Sequence, residues 1–201
     1  ALAAGTAFIT ATTQDGAKTS TSGITVTSVE AYTYNPSEDT YVRGGTYSTT
    51  NYGTTTQIDI KQGSQSDFMR KGLVKFDLRN LSLSNFTSAK LRLFASSAKA
   101  STISVYPIDD NWSESTVTWN NAPANGSSIS SVAVSASNLY YEFDVTAYVQ
   151  EQLAGDGVVS LGIWDIGASN VNVSFNSRES SSSKPELFVQ TSGNVTTIND
   201  L

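Results

Sequence analysis

The residues that could do chemistry in this chain are carboxylates and cations, because its 201 residues include no histidine and no cysteine. The usual general base and thiol nucleophile are therefore missing, and paired carboxylates of the glycosidase kind are the first catalytic option. Asp109 and Asp110 are adjacent and would point apart in a strand. Asp144 is better suited to cap a helix than to act with Glu142. Composition leaves a lyase site of Tyr, Arg and Lys open, but no motif marks one, so the sequence predicts that the chain is not an enzyme.

Oxygen donors offer one further option, a structural calcium ion. Asp109, Asp110 and Asp156 are the candidate ligands, since calcium prefers carboxylate and carbonyl oxygens. Their spacing is not that of an EF-hand loop. The sequence predicts no other cofactor.

Most of the positive charge lies in one segment of the chain. The segment from Arg43 to Arg92 has eight basic and three acidic residues, a net charge of +5, whereas the rest of the chain carries −11 within a total of −6. The acidic total argues against general nucleic-acid binding. Six cations are predicted to point outward from strands: Arg43, Lys61, Lys75, Lys90, Arg92 and Arg178.

If those strands lie side by side, the six cations form one basic sheet face. Such a face could bind the carboxylates of an acidic polysaccharide, with arginine forming bidentate contacts. Tyr41, Tyr47 and Tyr52 could supply stacking surfaces for sugar rings. The alternative is an ordinary solvated face, where lysine also discourages aggregation at sheet edges.

The elements that must position these residues are strands. Val74, Phe76 and Leu78 alternate with Lys75 and Asp77, which is the period of a half-buried strand. Similar short runs, separated by Gly and Asn turns, predict about ten strands. One helix is predicted, between Asp144 as N-cap and Gly155 after its C-terminus. The sequence therefore predicts an all-β protein, a jelly-roll β-sandwich with one short helix and an extended N-terminal strand segment.

The irregular stretch 111–125 contains Trp112 and Trp119. We predict that both rings are core anchors beneath a long loop, with a sugar-stacking platform as the alternative.

Three regions are predicted along the chain. Residues 1–23 form an N-terminal extension, a candidate donor strand followed by a linker; residues 24–190 form the sandwich; and residues 191–201 form a C-terminal tail. The chain starts without Met or a basic leader, so we read its first residues as those of a processed protein. No apolar run is long enough for a membrane span. Low charge, abundant hydroxyls and the absence of cysteine favour a secreted, cell-surface protein. The candidate N-glycosylation sites are Asn80, Asn85, Asn111, Asn125, Asn172 and Asn194.

Several local motifs together resemble the DNRLRE (disaggregatase-related) domain over roughly residues 26–190. They occur in the family's order and comprise Asp39-Thr40-Tyr41-Val42-Arg43-Gly44-Gly45, Asn51-Tyr52-Gly53, Lys75-Phe76-Asp77-Leu78, Ser88-Ala89-Lys90-Leu91-Arg92-Leu93, Trp112-Ser113-Glu114, Thr118-Trp119-Asn120-Asn121-Ala122-Pro123, Ser177-Arg178-Glu179 and Pro185-Glu186-Leu187. The resemblance implies an extracellular jelly roll, usually without catalytic activity. Its relatives include carbohydrate-binding module family 96, which implies alginate binding beside polysaccharide lyases.

The N-terminal segment outside this resemblance suggests self-assembly. Leu2, Phe8 and Ile9 would be the apolar plugs of a strand donated to a neighbouring copy. Head-to-tail donation need not close, so it would produce a surface filament in which the acidic body of one subunit meets the basic face of the next. We take this homopolymer as the leading hypothesis from sequence, with binding of an acidic polysaccharide as its rival.

Overall fold

A computed structural model describes residues 4–16, 18–26, 29–79, 86–168, 170–191 and 195–199. Leu2, Asn80, Asn85 and Asn194, named above as candidate residues, lie outside this described part. The chain divides into two compact units. The smaller comprises Ala1–Tyr32, Ser82–Thr87 and Val189–Leu201, and the larger comprises Thr33–Leu81 and Ser88–Phe188. The predicted division into residues 1–23, 24–190 and 191–201 stays a prediction.

The described elements are fourteen strands, one α-helix and two short 3-10 turns. The strands are β1 (Gly5–Thr12), β2 (Thr19–Val26), β3 (Ala31–Tyr34), β4 (Glu38–Arg43), β5 (Gln57–Ile60), β6 (Arg70–Asp77), β7 (Phe86–Ser97), β8 (Ser101–Pro107), β9 (Ser130–Val134), β10 (Leu139–Asp144), β11 (Val158–Asp165), β12 (Val173–Asn176), β13 (Glu186–Thr191) and β14 (Val195–Asn199). The helix is α1 (Thr146–Ala154), and the 3-10 turns are Gly45–Tyr47 and Ser66–Phe68.

The smaller unit contains a three-stranded sheet in the order β1-β2-β14. Strands β1 and β2 form an antiparallel hairpin, in which Thr6 pairs with Thr25 and Thr10 with Thr21 through their hydroxyls. This arrangement differs from two expectations, because the predicted linker, which ends at residue 23, includes the first part of β2, and the predicted tail contains β14. β-branched threonines with paired hydroxyls favour a strand over a flexible linker.

Strand β1 therefore has a partner within its own chain, which the sequence did not predict. Its side chains are exposed along its whole length, and Phe8 and Ile9 are 71% and 60% exposed. Hydrogen bonding to β2 occupies one edge of the strand that we expected to be donated.

The other eleven described strands form two sheets. One has the order β4-β6-β11-β8-β9, and the second has the order β3-β13-β7-β12-β5 with β10 also paired to β7. Successive strands mostly alternate between the two sheets, so few hydrogen-bonded neighbours are neighbours in sequence. The prediction of an all-β sandwich with one short helix is confirmed.

The core of the larger unit lies between these two sheets. Alternation within β6 turns Val74 and Phe76 inward, where both are fully buried. Ile58 and Ile60 of β5 lie opposite, because a methyl group on Gly72 of β6 would contact both isoleucines. The same alternation turns Lys71, Leu73 and Lys75 to the outer face of the five-stranded sheet.

Helix α1 starts one residue later than the capping pattern suggested. The N-cap position is Val145, and the Asp144 carboxylate accepts hydrogen bonds from the backbone N–H and the hydroxyl of Thr146. These bonds lower the pKa of Asp144. Val149 of this helix is buried.

Gly72 provides a test of the packing between the sheets. A Cβ added there would lie 2.6 Å from Ile58 Cγ2 and 2.9 Å from Ile60 Cδ1. Because β-branched side chains in a dense core cannot move easily, we expect Gly72→Ala to lower the free energy of unfolding by about 1–3 kcal/mol in urea titrations. Gly5→Ala, where nothing lies within 4 Å, is the control and should change it by no more than about 0.5 kcal/mol. Equal effects of the two substitutions would contradict the described packing.

Candidate functional site

The loop between β8 and β9 covers the outer face of the five-stranded sheet. Trp112, only 7% exposed, joins a second buried cluster on this face with Val42, Leu73, Ile108 and Val117. Its indole N–H donates to the hydroxyl of Ser160 on β11 at 3.1 Å. Trp112 is therefore a core anchor, as predicted.

The motif residues Asp39, Glu114 and Arg178 form one polar network that fixes this loop. Glu114 accepts the backbone N–H of Asp39 at 3.0 Å and forms an ion pair with the Arg178 guanidinium. The Asp39 carboxylate in turn accepts the backbone N–H of Arg178 at 2.7 Å. The motifs Trp-Ser-Glu and Ser-Arg-Glu thus meet on β4, and their role here is structural.

Asp39 is the buried member of this network. Its side chain is fully buried, and within the described part of the chain its Oδ1 has no hydrogen-bond partner. Burial raises the pKa of Asp39 to about 8, although the hydrogen bond from Arg178 opposes the shift. The carboxyl group therefore keeps its proton at neutral pH.

Lys71, Trp119 and Trp164 form a second feature of the outer face, which we call the Trp–Lys cluster. The two indole rings lie 6.0 Å apart between centroids and are tilted by 44°. Lys71 Nζ lies 4.8 Å from the Trp119 ring and 5.7 Å from the Trp164 ring, within reach of a cation–π interaction with each. A Cβ on Gly44 would lie 3.3 Å from Trp119, so glycine at this position lets the ring lie close to the backbone.

The ammonium group of Lys71 has no counterion in the part of the chain that the structure describes. Among the described residues it makes no hydrogen bond or ion pair. Burial lowers its pKa. The group is thus a half-buried cation beside two aromatic rings, and it could accept an anionic ligand that stacks on them.

The six cations predicted for carbohydrate binding do not share one face. Arg43 and Lys75 belong to strands of the five-stranded sheet, whereas Lys61, Lys90, Arg92 and Arg178 lie in or directly after strands of the six-stranded sheet. The expectation of a single basic face is wrong, because consecutive strands of the basic segment alternate between sheets.

Four of these six cations are already paired with carboxylates. Lys75 contacts Glu38 at 3.2 Å and also donates to the backbone carbonyl of Trp112. The other pairs are Lys90 with Glu142, Arg92 with Glu142 and Glu186, and Arg178 with Glu114. A ligand carboxylate would have to displace those partners.

Arg43 and Lys61 form no ion pair among the described residues, and each lies over an aromatic ring. The Arg43 guanidinium is 3.5 Å from the Tyr47 ring centroid, and Lys61 Nζ is 5.2 Å from that of Phe68. The other two predicted stacking residues, Tyr41 and Tyr52, stack on each other at 4.4 Å.

Two of the three predicted calcium ligands form hydrogen bonds within turns of the backbone. Asp109 and Asp156 each accept a backbone N–H two residues ahead. Within the described chain, no group of three or more acidic side chains could hold a metal ion. The calcium ion stays a prediction.

The candidate glycosylation sites also stay predictions. Asn111 and Asn125 are exposed, whereas the amide nitrogen of Asn172 already donates to Asp59 and Ser174. Glycosylation would replace one of the two hydrogens on this nitrogen, so Asn172 would lose at least one of these bonds.

The outer face of the five-stranded sheet thus presents two aromatic rings beside a cation. The chain belongs to carbohydrate-binding module family 96, whose sequence profile matches residues 30–191. It is also similar to a gellan lyase of Bacillus sp, with 32% identity over 199 residues. The match covers 94% of this chain but only 8% of the length of that relative. No helix in the described residues is both long and apolar enough to cross a membrane.

Sequence reasoning missed Lys71 and Trp164. Lys71 alternates with the inward Gly72 and Val74, so the pattern of β6 contained the information that it points outward. Trp164 occupies an outward position of β11, next to the fully buried Ile163. Neither residue has an unusual local motif, and only the pairing of β6 with β11 brings them together.

Asp39 gives this network a pH dependence. A raised pKa in the folded state means that the stability contribution is fully present below about pH 4 and is lost as the pH rises through about 8. In the unaltered chain we therefore expect the free energy of unfolding to fall by roughly 2–5 kcal/mol between pH 5 and 9 because of Asp39. In Asp39→Asn this part of the fall should be absent.

Asp77→Asn is the matched control. Hydrogen bonds from Arg79 lower the pKa of Asp77 to about 2, so its contribution is lost only in strong acid and the slope between pH 5 and 9 should not change. Urea unfolding at each pH measures both variants. An unaltered slope in Asp39→Asn would show that Asp39 does not titrate in this range.

Proposed function

We propose that this chain is a non-catalytic module that binds an acidic polysaccharide through the Trp–Lys cluster. The observation that carries the proposal is the ammonium group of Lys71 beside Trp119 and Trp164, which has no ion pair among the described residues. Membership of a carbohydrate-binding family supports a sugar as the ligand. The positive charge of Lys71 supports a sugar that carries a carboxylate.

The geometry suits a uronic acid. Indole faces provide apolar surfaces on which the C–H face of a sugar ring can stack, and such sites combine aromatic walls with a few polar groups. The ammonium group of Lys71 would then meet the carboxylate of the stacked sugar. Because folding has already removed much of the water around Lys71, less desolvation remains for binding.

The similarity to the gellan lyase supports a proposal for the biological setting. The Bacillus protein is named as a lyase of gellan, and this chain corresponds to a small part of it. We infer an extracellular module that holds polysaccharide for a catalytic partner, and gellan and alginate, which both carry carboxylates, are the first ligands to test. The resemblance to the DNRLRE domain stays an inference from motifs.

Binding to these polymers tests the proposal directly. In calorimetry at low salt, we expect binding to gellan or alginate, no binding to a neutral glucan, and about tenfold weaker binding for Lys71→Met, equivalent to about 1.4 kcal/mol. Methionine is unbranched and only one atom shorter than lysine, so it removes the charged N–H donors while keeping most of the aliphatic side chain.

Lys99→Met is the matched control, since it removes the same charge from an exposed loop between β7 and β8. Its affinity should stay within a factor of two of the unaltered chain. If neither acidic polymer binds at low salt, where charge contacts are strongest, the proposed function fails.

A second candidate, assembly into a filament through β1, is favoured by the exposed Phe8 and Ile9. Pairing of β1 with β2 weighs against it, and the family and the relative give it no support. Size-exclusion chromatography of the chain separates the two candidates. Elution as a monomer would contradict the filament hypothesis. Material in the void volume that disappears when residues 1–13 are deleted would support it.

A further inference from the structure

The side chain of Asn125 lies over strand β11, next to the Trp–Lys cluster. A Cβ added to Gly162 of β11 would lie 2.6 Å from Asn125 Oδ1, so the absence of a side chain at Gly162 leaves the space that the carboxamide occupies. Lys71 and Asn125 also line one narrow cleft, together with Leu73 and Pro123. The carboxamide and the lysine side chain therefore border the same space.

The strand register places this carboxamide on the same sheet face as the cluster. Gly162 pairs with Leu73 of β6, and Leu73 is an outward residue two positions after Lys71. Trp164 follows Gly162 by two positions on β11, which is one repeat of the pleat and separates their Cα atoms by about 7 Å. A ligand that stacks on the Trp164 ring and meets Lys71 therefore passes close to Asn125.

The backbone beside Asn125 is attached to the sheet, whereas its carboxamide has no protein partner. The N–H of Gly126 donates to the carbonyl of Pro107, at the end of β8, at 2.9 Å. Asn125 is exposed, and among the described residues its side chain makes no hydrogen bond. An amide held in this way can bond a ligand without first losing a partner.

The chemistry of a carboxamide matches that of a sugar hydroxyl group. The amide has two N–H donors and a carbonyl acceptor, and a hydroxyl group both donates and accepts. Esterification of the hydroxyl removes its hydrogen and adds an acyl group, so the carbonyl acceptor of the amide loses its donor. Lys71 cannot distinguish the two forms of the sugar, because both carry the same carboxylate.

We propose that Asn125 is a further ligand-binding residue, which bonds a hydroxyl group of the acidic sugar at the Trp–Lys cluster and selects polysaccharides whose hydroxyl groups are not esterified. The inference deepens the proposed function and rests on it. Lys71 recognises the carboxylate, and Asn125 recognises a hydroxyl group on the same sugar or on its direct neighbour. Gly162 supports the site by leaving room for the carboxamide.

Calorimetry with one alginate tetrasaccharide in two forms, unmodified and O-acetylated on its hydroxyl groups, tests this role. For the unaltered chain, we expect acetylation to weaken binding at least tenfold. Asn125→Ala should weaken binding of the unmodified form three- to tenfold, because its hydrogen bonds to the ligand are lost. In this variant acetylation should weaken binding by no more than threefold, since two changes that affect the same contact are not additive.

Asn111→Ala is the matched control, because Asn111 is an exposed asparagine of the same loop that does not line this cleft. Its affinity for both forms should stay within a factor of two of the unaltered chain, and thermal melting verifies that each variant is folded.

The inference is overturned if acetylation has no effect, or if it weakens binding equally in the unaltered chain and in Asn125→Ala. In that case a loss of affinity in Lys71→Met would leave the proposed function standing. If neither the unmodified tetrasaccharide nor any acidic polymer binds the unaltered chain, both proposals fail together.

Discussion

The attachment of the loop between β8 and β9 to the five-stranded sheet is the constraint on which the candidate site depends. This loop has little regular structure, and if it were not attached to the sheet its backbone N–H and C=O groups would form hydrogen bonds with water. Two anchors hold it, the buried ring of Trp112 and the carboxylate of Glu114, which bonds both β4 and Arg178. Because Trp119 lies only a few residues beyond these anchors, its ring is placed beside Lys71 by packing that is complete before any ligand arrives. The site is therefore preorganised, and binding need not order the loop.

The ion pairs explain why a segregated charge pattern does not produce a segregated surface. The basic segment looked anomalous along the sequence, but antiparallel pairing brings its cations against acidic strands from elsewhere in the chain. Glu142 on β10 lies directly across from Arg92 on β7, so a long-range strand contact neutralises charges that are fifty residues apart. Cross-strand pairs of opposite charge stabilise a sheet modestly. Their larger consequence here is that a ligand carboxylate would have to displace a partner to reach these cations.

Much of the fold could be predicted from the sequence, and less of the site. Alternation identifies β6 and its inward residues, because the period of a half-buried strand is a local property. The sheet to which a strand belongs is not local, so the six outward cations could not be assigned to faces. Composition also misled at the N-terminus, where a threonine-rich stretch suggested a linker but forms β2 through paired hydroxyls. The motifs that identify the family, including Arg178, mark the structural network, whereas Lys71 and Trp164 carry no motif and become a site only through strand pairing.

An acidic protein can bind an acidic polymer only at a part of its surface where the local electrostatic potential is positive. The chain carries a net charge of −6, and a polyanion approaching an average part of its surface would be repelled. At physiological ionic strength that repulsion is screened over about 8 Å, so charges farther away matter little. Within that radius, a cation that lies over an aromatic ring and lacks a carboxylate partner gives a favourable potential, and it is held by its packing with little side-chain entropy left to lose. Selectivity in such a site comes from which cations the fold leaves unpaired, and the number of cations in the sequence is a poor guide to it.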